Sequence, residues 1–240
     1  MRADGLRAMN LLLLRDEDFA PDGTARLRGR RLRHAQDVLR AVTGDTLRVG
    51  RLHGLLGTAT VLASSDAELV LLPALTDEPP PRPGIDLILA LPRPKALRKV
   101  LPAVASLGVG RLVLVNAARV EKSFFQSGVL AELEERLCEG LEQARDTRPP
   151  EVLIRDRLKP FVEDELDALL PSRERLLAHP GGTRTVGPAG GPCVLAVGPE
   201  GGWVPFEVEL FAQRGFAAVS AGPRILRVEV AVPYLLGALR

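Results

Sequence analysis

Val197-Gly198-Pro199-Glu200-Gly201-Gly202 closes the apolar run Cys193–Val197, and Ala221-Gly222-Pro223-Arg224-Ile225-Leu226-Arg227-Val228-Glu229 follows the run Phe216–Ser220. A short apolar run stopped by glycine and proline reads as a buried strand ending in a turn. Glycine belongs where backbone must approach a ligand closely or take positive φ. Each turn also carries charge: Glu200 in the first, and Arg224, Arg227 and Glu229 in the second. In open α/β sheets, ligands bind beyond the carboxyl ends of the strands. With Ala178-His179-Pro180, which follows the run Arg175–Leu177, these turns read as walls of one small-molecule pocket.

Working outward, Ile85–Leu91 and Arg111–Val115 read as buried parallel strands. Between them Leu97, Val100, Leu101, Val104 and Leu107 recur at helical spacing, so the unit is β-α-β. Pro102 is expected to kink that helix or to mark a late start of its second half. Leu130, Leu133, Leu137 and Leu141 line a further helix that ends near Pro149. Glu207–Arg214 reads as a short helix, Val230–Leu239 as a closing one and Gly181–Gly191 as a loop. Residues 85–240 are therefore expected to form an α/β domain with a mostly parallel sheet. The proline-rich segment 79–84 marks a linker. Residues 1–78 read as short strands (Met9–Leu14, Thr46–Val49, Gly57–Ser64, Glu68–Leu72) with glycine turns, the pattern of a small β-barrel. One helix, Arg33–Arg40, interrupts them, with Val38 and Leu39 inward and Arg33, Asp37 and Arg40 outward.

With 46 % hydrophobic and 26 % charged residues in 240, the chain can bury a core. A net charge of +2 does not by itself announce a polyanion partner. The distribution does: Arg26, Arg28, Arg30, Arg31, Arg33 and Arg40 stand against the single acid Asp37, and Arg93, Lys95, Arg98 and Lys99 form a second patch. The two cysteines, Cys138 and Cys193, have neither metal-ligand nor disulfide-framework spacing, so no metal is expected and a reducing cytoplasmic setting fits. No apolar run approaches the roughly 18 residues of a membrane span.

The loops match no dinucleotide fingerprint, since Gly108-Val109-Gly110 precedes a strand. A phosphate-binding G-K-[ST] and a nucleophile elbow are also absent. The pair Gly198-Pro199-Glu200-Gly201-Gly202 and Gly222-Pro223-Arg224-Ile225-Leu226-Arg227-Val228-Glu229-Val230-Ala231 instead resembles the SPOUT methyltransferases, and within them the family that methylates N3 of a uridine in 16S ribosomal RNA. His34–Arg40 followed by Gly44-Asp45, Leu107-Gly108-Val109, Glu142-Gln143 and Thr147–Val152 fall in that family's order. The resemblance covers nearly the whole chain. It implies a PUA-like RNA-binding barrel, an α/β domain threaded into a trefoil knot, S-adenosylmethionine as cofactor, and a homodimer. The chain departs from the family pattern in three places: Ser106 for a glutamate, Ala144-Arg145-Asp146 for Ser-Gly-Arg, and Val230 for a threonine.

By that resemblance, Ala178, His179, Pro180, Val197, Gly198, Pro199, Gly201, Ala221, Gly222, Ile225 and Leu226 hold the cofactor. Methyl transfer to a uracil N3 requires positioning and removal of the ring proton. Arg224 or Arg227 is expected to orient or stabilise the base, and Glu200 or Glu229 to accept the proton or to fix an arginine. Structural alternatives are a Glu229–Arg227 ion pair and a Glu200 that faces a helix dipole. Phosphate contacts are assigned to Arg26, Arg28, Arg30, Arg31, Arg33, Arg93, Lys95 and Arg98, with Asn116, Arg119 and Lys122 near the substrate. Trp203 and Phe206 are the stacking candidates, and Phe206 is the one better suited to the core. Rival functions are an inactive RNA-binding or ribosome-assembly protein of this fold, a methyltransferase for another nucleotide, and an unrelated α/β transferase.

Overall fold

The computed structural model describes residues 11–172 and 174–240; for Arg30, His34, Asp37, Val38 and Leu39 it describes the backbone alone. The chain forms two compact units. One ends at Pro81 and takes in Cys138–Pro149, and the other comprises Arg82–Leu137 and Pro150–Arg240.

In the first unit, β1 (Leu12–Leu14), β2 (Ala25–Leu27), β3 (Thr46–Arg51), β4 (Leu56–Ser64) and β5 (Leu69–Asp77) form a five-stranded sheet in the order β1-β3-β4-β5-β2. β1 and β3 are parallel, and the remaining pairs antiparallel. Strand side chains alternate between faces, so Leu47, Val49, Ala59, Val61, Leu69 and Leu71 collect on one side. Leu32 and Ala35 of α1 (Gly29–Leu39) join the same core. Met9 and Asn10 lie outside the described residues, as do the side chains of Val38 and Leu39, on which the inward reading of this helix rested. Arg33 and Arg40 are exposed. The run of arginines hides an edge strand: in β2, Ala25 and Leu27 are buried and Arg26 between them is not.

Asp146 has a structural role here. It is 4 % exposed, and one carboxylate oxygen accepts from the amides of Thr147 at 2.7 Å and Arg148 at 3.0 Å. This turn presents Thr147, whose carbonyl accepts the His53 amide at 2.7 Å.

The second unit is a seven-stranded sheet built from β6 (Ile85–Ala90), β7 (Arg111–Val115), β8 (Glu151–Arg155), β9 (Glu174–Ala178), β10 (Arg184–Thr185), β11 (Cys193–Val197) and β12 (Ala217–Ser220), in the order β10-β12-β9-β11-β6-β7-β8. Every pair is parallel. Its helices are α2 (Pro94–Ser106), a run of α4 (Leu158–Pro160) through a π-helical turn into α5 (Leu166–Leu169), α6 (Pro205–Gln213) and α7 (Val228–Ala238), while α3 (Leu133–Ala144) begins in this unit and belongs to the first from Cys138 on. α2 continues through Pro102, burying Leu97, Val100, Leu101 and Val104 on one face. β8, the α4–α5 run and β10 are elements that the apolar periodicity did not single out. All five residues of β11 are buried, between β6 and β9, both of which precede it in the chain. Among the described residues no helix is long and apolar enough to cross a membrane.

Candidate functional site

β12, β9 and β11 are neighbours and point the same way, so their carboxyl ends open on one edge of the sheet. The loops beyond them enclose a cavity of about 520 Å3, within the size range of small-molecule sites. Ala178, His179 and Pro180 line it from the end of β9. Val197, Gly198, Pro199 and Gly201 line it from β11, and Ala221, Gly222, Ile225 and Leu226 from β12. The residues assigned to the cofactor thus share one cavity.

The loops are shaped by their sequence. Gly198 lies against the indole of Trp203: a Cβ there would fall 3.2 Å from Nε1 and 3.3 Å from Cδ1. Gly202 and Gly222 take φ of 72° and 105°, which side chains rarely adopt. Ser220 Oγ accepts the Gly222 amide at 3.0 Å and sets the turn after β12. His179 Nδ1 accepts the Gly181 amide at 3.0 Å, which leaves the proton of a neutral imidazole on Nε2.

Of the acid–base candidates, Arg224, Arg227 and Glu200 line the cavity. Both arginines are exposed. Glu200 Oε1 accepts the amide of Arg93 at 3.0 Å, beside the first turn of α2. Glu229 does not line the cavity; its nearest cation is Lys99 at 3.9 Å, not Arg227.

The basic candidates are scattered among acids. Arg26 pairs with Asp22 at 3.3 Å and Glu68 at 3.6 Å, and Arg28 with Glu68 at 2.8 Å. Arg31 grips the buried Asp18 with both terminal nitrogens. With Phe19, these arginines line a second cavity of about 290 Å3 in the N-terminal unit. The Arg30 side chain lies outside those described. Arg98 forks onto Glu132, which also pairs with Arg136. These hydrogen bonds, Arg98 first, pull the Glu132 carboxyl down to about 2. Arg33, Arg93, Lys95 and Lys122 are exposed, and Asn116 is half-buried. Arg119, assigned to RNA from sequence, lines the β11 cavity.

The two aromatics exchange their expected roles. Trp203 is 4 % exposed and packs edge-on against Phe211, 5.1 Å between ring centres, whereas Phe206 is 55 % exposed. α6 buries Glu207, Leu210 and Phe211, a face that leaves Phe206 about 100° away. Trp203 Nε1 is buried without a hydrogen-bond partner. Sequence reasoning also passed over Glu207. No capping-box signal marked it, because Val204 at the start of the helix has no side-chain oxygen; only the returning bond, from the Val204 amide to Glu207, is made.

The domain model of the RNA methyltransferase family matches residues 78–240. The chain is 32 % identical over 234 residues to ribosomal RNA small subunit methyltransferase E of Treponema pallidum (strain Nichols), covering 93 % of this chain and 87 % of that protein. The chain belongs to the RNA methyltransferase family. This methyltransferase is also 28 % identical over 171 residues to the small subunit methyltransferase E of Mycobacterium tuberculosis, covering 67 % of this chain and 64 % of that one. Its fold superposes with a TM-score of 0.74 on the small subunit methyltransferase E of Neisseria gonorrhoeae bound to S-adenosyl methionine, at 25 % identity and with 95 % and 96 % of the two chains covered.

The cavity of this methyltransferase fits such a cofactor. Apolar side chains of Val197, Ile225, Leu226 and Leu235 offer surface to a purine ring, and three loops bring main-chain donors and acceptors to its edge. At Gly198 a side chain would press on the Trp203 indole, so glycine keeps this part of the lining in place. Among the described residues no cluster of His, Cys, Asp and Glu could hold a metal ion. None of the divergent positions Ser106, Asp146 and Val230 lines the cavity.

Proposed function

We propose that this enzyme uses S-adenosylmethionine to methylate N3 of a uridine in small-subunit ribosomal RNA. The observation that carries the reading is the cavity closed by the loops after β9, β11 and β12, with Arg224 and Arg227 on its wall. When bound, the cofactor supplies an electrophilic methyl group on a sulfonium. What the protein must add is alignment and charge. Arg224 and Arg227 hold the base and stabilise the negative charge that develops as N3 gives its proton to solvent water, before N3 takes the methyl group and the neutral thioether leaves. Glu200 lines the same cavity, but its hydrogen bond to Arg93 favours the role of a loop anchor over that of proton acceptor. Arg33, Arg93 and Lys95 are the exposed cations best placed to meet phosphates.

The finer architecture belongs to the same reading. β11 lies between two strands that precede it, which supports a trefoil knot. The N-terminal sheet with its helix supports a PUA-like RNA-binding module, and the enzyme works on ribosomal RNA in the cytoplasm. A homodimer is favoured by Ile225, Val230 and Tyr234, apolar and 80 %, 49 % and 46 % exposed, the last two one turn apart on α7. Mass spectrometry of ribosomal RNA nucleosides, from cells with and without the protein, tests the reaction. Loss of 3-methyluridine with the protein, and its return on re-expression, is the expected result; unchanged 3-methyluridine would exclude it.

A further inference from the structure

Two side chains tie the loop after β7 to the loop after β11. The Arg119 guanidinium donates to the Gly201 carbonyl. The stem of the same side chain lies on the Gly201 backbone, where a Cβ would fall 2.9 Å from Arg119 Cδ and 3.2 Å from its Cβ. One residue earlier, the Ala118 amide donates to Glu207 Oε1 at 2.7 Å, and Glu207 Oε2 accepts the Val204 amide at 3.0 Å. Glu207 is 4 % exposed, so each of its two oxygens needs a donor, and each takes one from a different loop. β7 and β11 are not neighbours, because β6 lies between them. The ties are therefore no by-product of strand pairing; side chains must supply them.

We infer that Arg119 is a positioning residue for the cofactor loop. It fixes the Gly201 carbonyl and so holds Gly198–Gly202 in the shape that lines the cavity. Glu207 fastens the segment next to Arg119 to the foot of α6, so the anchor from which Arg119 reaches is itself rigid. Arginine suits this role, because its long stem covers the glycine while its planar head donates to the carbonyl. Gly201 suits it too, since any Cβ would push the stem away. Arg119 thereby acts through Gly201 on the cofactor, not on RNA phosphate. The inference rests on the function proposed above.

Calorimetry with S-adenosylhomocysteine, without RNA, tests it. Arg119→Ala is expected to bind roughly tenfold more weakly, the order of one lost charge-assisted hydrogen bond. Arg119→Lys should recover part of the loss, because lysine keeps a single donor on a long stem. Arg119 is exposed, so the melting temperature of the ligand-free variant should match the wild type. Gly201→Ala should weaken binding in the wild type and much less in Arg119→Ala, where the stem is gone. Wild-type affinity in Arg119→Ala, or strict additivity with Gly201→Ala, overturns the inference. So does retained cofactor affinity with lost affinity for a 16S RNA fragment, which would return Arg119 to the RNA. A wild-type protein that binds no S-adenosylhomocysteine overturns the proposed function itself, and this inference with it.

Discussion

Glu200 Oε1 accepts the backbone amide of Arg93 at 3.0 Å, joining the loop after β11 to the entry of α2. A carboxylate so engaged is an anchor, and glutamine can serve the same bond through its carbonyl oxygen. Glu200→Gln is therefore expected to keep kcat within about threefold, whereas loss of a true general base costs on the order of 10²–10⁴ in rate. Single-turnover methylation of a 16S RNA fragment measures the difference.

Trp203 carries a buried N–H with no partner. Trp203→Phe keeps a ring against Phe211 and removes that cost, so stability should be unchanged or higher by about 1 kcal/mol. Trp203→Ala should lose about 3–5 kcal/mol by opening a cavity. Urea unfolding reads both. The exposed Phe206 gives the contrast: Phe206→Ser should shift stability by no more than about 0.5 kcal/mol.

Glu132 sits between Arg98 and Arg136, and its carboxyl is held at about 2 against an ordinary 4.5. A lowered value means that the native state favours the ionised form, so the contribution is full above about 4.5 and is lost as pH falls through about 2. Urea midpoints of the wild type and Glu132→Gln should differ at neutral pH and converge across that window. A difference that persists below it would exclude the ion pairs as the cause.

Val230 stands where the family pattern has threonine, yet it is 49 % exposed on α7 and does not line the cavity. Val230→Thr is expected to leave S-adenosylhomocysteine affinity within about twofold, since a surface change touches no ligand contact. Sedimentation of the same variant reads the other role of this face: if it packs against a second copy, the added hydroxyl should weaken self-association.

Asp146 bonds two consecutive amides from a nearly inaccessible site. Asp146→Ala leaves those donors without their acceptor and should destabilise the N-terminal unit by about 1–3 kcal/mol. Hydrogen exchange at Thr147 and Arg148 should accelerate selectively.

The loops that line the cavity were legible because glycine and proline at the end of an apolar run specify a turn locally, and parallel strands then bring such turns to one edge. Arg119 was not. It stands some eighty residues before Gly201, and only the strand order, which no local pattern encodes, brings the two together. The Trp203 and Phe206 exchange has a different cause. Counting apolar residues cannot foresee that Glu207, a charged residue, takes a buried position on α6 and so sets which face turns inward. The edge strand Ala25–Leu27 was masked by its charge, because alternation over only three residues carries little signal beside a run of arginines. β8 was missed because none of its five residues is fully buried and no alternation stands out, and the α4–α5 run because a π-helical turn interrupts the helical period of its buried Leu158, Phe161, Val162 and Leu166.

The central place of β11 bears on how the chain is made. Its partners β6 and β9 both leave the ribosome first, yet neither can take its final neighbour until Cys193–Val197 has emerged. The nascent sheet must keep a slot open, and closing it joins residues more than a hundred positions apart, a slow event by loop-closure entropy. No partly synthesised chain can own the cavity, since one of its walls, Val197–Trp203, arrives with β11 and another, from Val219 onward, only after it. Competence to bind the cofactor is therefore a late and nearly all-or-none property, and its gain on refolding would serve as a clock for completion of the sheet.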